Sequence, residues 1–113
     1  MDYSSIFILD KSAYVKIPVN QILLAEADGA YVKIISANKH YQLTTNLKTV
    51  QDQIKVPDLI RVSRKHLVNK NHISKICGNT LYLSLGDSAE LAVTMSKALR
   101  REILSQFQII KTK

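Results

Sequence analysis

Between Leu59 and Lys75 the chain reads LIRVSRKHLVNKNHISK and carries five basic residues, Arg61, Arg64, Lys65, Lys70 and Lys75, without one carboxylate. Cationic groups left unpaired by their neighbours attract phosphate oxygens. The planar fork of arginine also fits the acceptor edge of guanine in the major groove. The same residue types are ordinary on a wetted surface, so the stretch alone is read equally as a polyanion contact or as a solvated loop. Two other polar turns carry related chemistry, Asp28-Gly29-Ala30-Tyr31 and Thr94-Met95-Ser96-Lys97. The second opens a helical pattern, where free backbone N–H groups, the positive end of a dipole and a lysine together can hold a phosphate. Thr94 or Ser96 acting as a simple helix cap is compatible with that contact.

Chemistry of other kinds is missing. The nine acidic residues are scattered singly, apart from Asp52 near Asp58, and no GxxxxGK[ST], GxSxG or GxGxxG pattern occurs. His66, His72 and Cys77 have ligand chemistry, but their spacing matches no short-pair zinc pattern and a fourth partner is lacking. No catalysis, no metal site and no cofactor are expected. Cys77 has no second cysteine to pair with and reads as a small, partly buried, reduced residue.

The elements that must position the three turns are mostly strands. Ile6 to Leu9 and Ala13 to Ile17 form a pair that Pro18 ends for want of an N–H, and Ile22 to Ala27 and Tyr31 to Ser36 flank an Asp28-Gly29 hairpin signal. A weaker turn at Ser36 to Lys39 leads to a strand around His40 to Thr44. Leu47, Val50 and Ile54 recur at helical spacing, with Thr45 or Asn46 as cap and Pro57 past the end, so a short helix covers one end of the core. An alternating run, Ile60 and Val62 against Arg61 and Ser63, and the pair Leu67-Val68 make two strands that present Arg64-Lys65-His66 at their tip. Ile73 to Cys77, Leu81 to Leu85 and Glu90 to Val93 continue as a meander, with Gly86-Asp87 as the second turn. From Ser96 the period changes, and Leu99, Ile103, Leu104 and Phe107 share one face of a C-terminal helix while Lys97, Arg100 and Arg101 stay outside.

At 113 residues the chain suits one domain, and 46% hydrophobic with 22% charged residues is the composition of a folded protein. Its net charge of +7 favours polyanions, with nucleic acid the first candidate and an anionic membrane face the second. No apolar run approaches the roughly 18 residues of a membrane span, and the start lacks a positive region ahead of its apolar run, so a cytoplasmic protein without a membrane partner is expected. Recognition of RNA on a sheet face would ask for aromatics in an RNP-like context. Tyr31, Tyr41 and Tyr82 lack that setting and read as packing residues.

These residues resemble the LytTR DNA-binding domain of bacterial transcription regulators. The likeness covers roughly Ile17 to Phe107 and begins with ILLAEA, similar to the family's I-x-Y-I-E-A with Leu24 in place of Tyr, passing through Tyr31 and Leu47. Its most specific part, LIRVSRKHLVN at 59–69, follows F-x-R-x-H-R-S-x-x-V-N, with Arg61, Arg64, Val68 and Asn69 matching and Leu59, Ser63 and Lys65 departing. Ile73 and Ile76 match downstream, and LAVTM at 91–95 resembles L-P-V-S-R/K, with Met95 where the family has a basic reader.

What the resemblance implies is a mainly β, elongated, antiparallel fold with one short internal helix and a C-terminal helix, spanning 1–113 as a single domain. Its loops would enter successive major grooves of double-stranded DNA, usually as pairs of protomers on direct repeats. Carried over by position, the contacts are Gly29 and Tyr31, then Ser63, Arg64 and Lys65, then Thr94, Met95, Ser96 and Lys97, with Arg100 as a further charge. Arg64 is expected on a base, Lys65 on a phosphate, and Asn69 on backbone groups of its own turn. Family members usually carry a receiver or sensor domain ahead of this one, so the chain is either free-standing or a fragment. A reading of another class remains beside this one: a β-rich interaction module whose basic face meets an acidic partner.

Overall fold

In the computed structural model, which describes residues 3–84, 86 and 90–112, every strand pairing is antiparallel. The middle layer is a five-stranded sheet in the order β5-β4-β3-β7-β6. Its strands are β3 (Ile22–Asp28), β4 (Tyr31–Ser36), β5 (His40–Leu43), β6 (Leu59–Arg61) and β7 (His66–Asn69). Central strands bury both faces, and neighbouring residues therefore serve different cores. Ala25 sits opposite Leu67 on one face, and Leu24 opposite Val68 on the other.

The first face is covered by a hairpin of β1 (Ser5–Asp10) and β2 (Ala13–Pro18) and by α1 (Leu47–Gln53). Ile6, Ile8, Ile17, Leu47 and Val50 pack there against Ile22, Val32 and Ile34. The second face is covered by a three-stranded sheet, β8 (Ile73–Cys77), β9 (Thr80–Leu83) and β10 (Leu91–Thr94), in the order β10-β9-β8, and by α2 (Arg100–Leu104). Leu81, Leu83, Val93, Met95 and Ile103 close on Leu24, Ile60, Val62 and Val68. Each fully buried aliphatic chain of this kind contributes roughly 1.5–3 kcal/mol. The outline is long and narrow, 56 × 29 × 29 Å.

Local chemistry sets the element ends. Asn46, the second of the two expected caps, accepts from the Thr49 amide at 2.8 Å and starts α1. The expected strand ending at Leu85 ends at Leu83. Leu85 itself and the Asp87 half of the expected Gly86-Asp87 turn lie outside the described residues. The C-terminal helix is shorter than its apolar pattern: a 3-10 turn at Lys97–Leu99 leads into α2, which stops at Leu104. Beyond it the Gln106 amide bonds Ile103 and the Phe107 amide bonds Leu104, a tighter winding that still tucks Phe107 against the second core.

Candidate nucleic-acid interface

Two loops are brought to one end of the middle sheet by strand register. Glu26 pairs with His66, and the next rung is a hydrogen bond from the Ala27 amide to the Lys65 carbonyl at 2.9 Å. The Asp28–Tyr31 hairpin and the tip at 63–65 therefore emerge side by side. Gly29 makes the hairpin possible, since it holds φ +61° and a side chain would be strained there. Tyr31 faces Asp28 at the start of β4 and is 42% exposed, while Asp28 is held by Lys33 at 3.1 Å.

The third loop is tied to the tip from the other sheet. The Ser96 amide donates to the Val62 carbonyl at 2.7 Å, and the Met95 amide to the Asn79 carbonyl at 2.8 Å. Arg100 Nε donates to the Gly78 carbonyl at 3.0 Å, which joins α2 to the β8–β9 turn. Hairpin, tip and third loop thus form a row linked by main-chain hydrogen bonds, a stiff arrangement for separate loops.

Inside the tip the organising residue is Arg61. Its Nε donates to the Ser63 carbonyl at 2.5 Å, one terminal nitrogen donates to the Arg64 carbonyl at 2.9 Å, and the other to Gln51 Oε1 at 2.7 Å. A guanidinium with each of its three nitrogens engaged fixes the main chain on which Arg64 and Lys65 stand. Among the basic residues of this stretch, Arg61 is thus a positioning group, a role the sequence does not signal because its acceptors are mostly backbone carbonyls. Ser63 Oγ, 3.3 Å from His66 Nδ1, accepts from the Lys65 amide at 3.2 Å. His66 is held below its ordinary value of 6.5, by burial first and by Lys65 as well, against the opposing pull of Glu26 3.7 Å away. Burial thus favours the neutral imidazole over the charged one.

Arg64, Lys65, Lys97 and Arg100 are exposed. Among the described residues no ion pair engages any of them; Asp28 and Asp52 hold Lys33 and Lys48, and Glu26 lies beside His66. Gly29, Tyr31 and Thr94 are also exposed, and Ser63 and Ser96 are partly so. The structure narrows two sequence-based expectations at the third loop. Met95, expected at the interface, is 2% exposed and packs in the core beneath the loop, so its side chain is withheld from any base edge. The amides of Met95 and Ser96 are spent on Asn79 and Val62, and that of Ala98 on Ser96 Oγ, so they are not free for a phosphate. Thr94 is the last residue of β10, and Ser96 is the cap. Asn69 does bond backbone groups, and over a longer span than its own turn: fully buried, it donates to Val19 and Ile22 carbonyls at 3.0 Å each and accepts from the Asn71 amide. His66 and His72 have separate partners, since His72 Nε2 bonds the Asn20 carbonyl at 2.7 Å.

An antiparallel sandwich thus brings three loops together, with their cations unpaired to acids among the described residues, an arrangement compatible with a polyanion. The comparisons specify the class further. Residues 12–108 match the LytTr DNA-binding domain, and the chain belongs to that family, which is non-catalytic. A solved LytTr DNA-binding domain, from a protein described as a methyl-accepting/DNA response regulator of Bacillus cereus, superposes with a TM-score of 0.66 at 20% identity, over 92% of this chain and 98% of that one. The comparison with curated proteins returned no match. As a LytTr domain the chain is a DNA-binding domain of the transcription-regulator type. Among the described residues no helix is long and apolar enough to cross a membrane.

Proposed function

We propose that this domain reads specific sequences in double-stranded DNA by inserting its loop row into successive major grooves, on direct-repeat promoter sites occupied by pairs of protomers. The observation that carries the reading is the row itself: Arg64 and Lys65 on the tip, Lys97 in the 3-10 turn and Arg100 at the start of α2 stand exposed beside loops cross-linked through Ala27–Lys65 and Val62–Ser96, with no carboxylate paired to them among the described residues. Arg64 addresses a guanine edge and Lys65 a phosphate. Lys97 and Arg100 supply the charge of the third loop in place of the buried Met95. Gly29 lets the hairpin approach the duplex closely, and Tyr31, Ser63, Thr94 and Ser96 line the contact with hydroxyl groups.

Residues 1–113 act as one domain in this reading, because both cores share the middle sheet. A receiver or sensor domain elsewhere in the regulator would deliver the signal, and the place of action is the cytoplasm. Selection of bound fragments from a genomic library, followed by sequencing, tests the proposal. A recurring direct repeat is expected. Recovery of fragments without a shared pattern would refute sequence-specific reading.

A further inference from the structure

A second surface lies on the other side of the molecule from β8–β10. The β1–β2 hairpin buries Ile6, Ile8 and Ile17 inward, and its register places Leu9 opposite Tyr14 and Phe7 opposite Lys16 on the outward face. Those outward residues are strongly exposed: Phe7 62%, Leu9 55% and Tyr14 75%, with Tyr3 at 47% just ahead of the strand. The face is not a loose end. Its backbone is laddered from Ser5 to Pro18, and the Val19 amide donates to the Ser4 carbonyl at 2.9 Å. A contiguous apolar patch on a rigid sheet is a candidate interaction surface, because the largest such patch on a monomeric domain is often functional.

We propose that this face is covered by the same face of a second copy, related by a two-fold axis, in a dimer that forms without DNA. Three features argue for that occupant. The first is area: with full side-chain areas of about 150–250 Å² for an aromatic, Phe7, Leu9 and Tyr14 alone expose on the order of 400 Å², to which Lys16 and the flanking strand ends add. Two copies together cover about 1,000 Å², which is where specific but weak interfaces begin. The second is self-complementarity. Tyr14 and Lys16 are neighbours on one face of β2, so an axis passing between them sets each ammonium against the second copy's phenol ring, a cation–π pair made twice. The third is charge. The face holds one lysine and no carboxylate on its outward positions, which gives an acidic partner little to bind and leaves apolar contact as the attraction.

Geometry keeps this contact apart from the loop row. The hairpin covers one face of the middle sheet, whereas the third loop hangs from the sheet that covers the other. A two-fold pair formed through this face differs from the head-to-tail pair on a direct repeat, so it suits the joining of two duplex segments, each read by its own protomer.

Salt separates this inference from the reading of the loops, on which it does not rest. Two copies of net charge +7 repel, so added salt tightens the dimer while it weakens DNA binding. The experiment is sedimentation equilibrium of the whole chain without DNA, up to about 1 mM and at low and high salt, where a weak interface becomes populated. The mass is expected to rise from 12.7 kDa towards twice that value, more so at high salt. Phe7→Glu and Tyr14→Glu, both at exposed positions, are each expected to stay monomeric with unchanged circular dichroism and a DNA affinity at low protein concentration within about twofold of wild type. A wild-type chain that stays monomeric at both salts would overturn the proposal. So would variants that associate like wild type, or a monomer whose tyrosine fluorescence shifts on binding uncharged lipid vesicles.

Discussion

Replacing Arg61 by lysine separates the two things a cation can do at this interface. The substitution keeps the net charge of +7 and removes only the fork that grips the tip. Arginine makes three hydrogen bonds here, to the Ser63 and Arg64 carbonyls and to Gln51, and a single ammonium nitrogen cannot span all three. Arg61 is only partly buried, so two lost bonds at about 0.5–1 kcal/mol each predict a loss of about 1–2 kcal/mol in DNA binding, or about 5- to 30-fold. The assay is fluorescence anisotropy of a selected duplex titrated at several salt concentrations. Affinity should fall by that factor while the slope of log K against log salt stays put, since no phosphate contact has been removed. An affinity within about twofold of wild type would refute the assignment of Arg61 as the residue that holds the tip, and a shallower slope would show that it touches phosphate instead.

The remaining predictions use the same material. Arg64→Ala should cost about 1–3 kcal/mol and relax preference at one base position, whereas Lys65→Ala should weaken all sequences alike and lower the salt slope by about 0.9; binding-site selection with each variant distinguishes the two. Asn69→Ala strands the buried carbonyls of Val19 and Ile22 and should lower stability by about 2–4 kcal/mol in urea unfolding, with the m-value unchanged. Met95→Leu should keep DNA affinity and cost less than about 1.5 kcal/mol in stability, while Met95→Ala should cost about 2–5 kcal/mol in stability by opening a cavity; a change of base preference with a folded Met95→Leu would contradict the core assignment. Because folding holds His66 below 6.5, the unfolded chain takes up the proton first. Stability is therefore whole above that pH and declines as pH falls towards the lowered value, and His66→Gln should flatten that part of a denaturation series.

Much of this was legible in the chain because the pattern and the physics agree. Alternation located the strands, Asp28-Gly29 the hairpin, and Thr45 or Asn46 with Pro57 the neighbourhood of α1, whose cap proves to be Asn46 and whose last residue is Gln53. The tip was readable as charge without acid, but the residue that shapes it was not: Arg61 spends its fork on main-chain carbonyls, which carry no side-chain signature. Met95 had a signal that the loop reading overrode. Val93 and Met95 continue the two-residue period of β10, and both are buried. Two of the free amides expected at the third loop, those of Ser96 and Met95, are taken up because Val62 and Asn79, distant in sequence, arrive to bond them. The continuous apolar run Ile6 to Leu9 read simply as a short strand, and its outward half, Phe7 and Leu9, stands out only once Ile6, Ile8 and Ile17 are seen to fill the inward face.

Guanine N7 methylation interference on a selected fragment tests the loop row most directly, because N7 lies in the major groove where Arg64 would dock. One protomer should give clusters of interference separated by about one helical turn, roughly 10 base pairs, with the cluster assigned to Arg64 lost in Arg64→Ala. Interference confined to a single cluster, or methylation of N7 without effect on binding, would contradict the account.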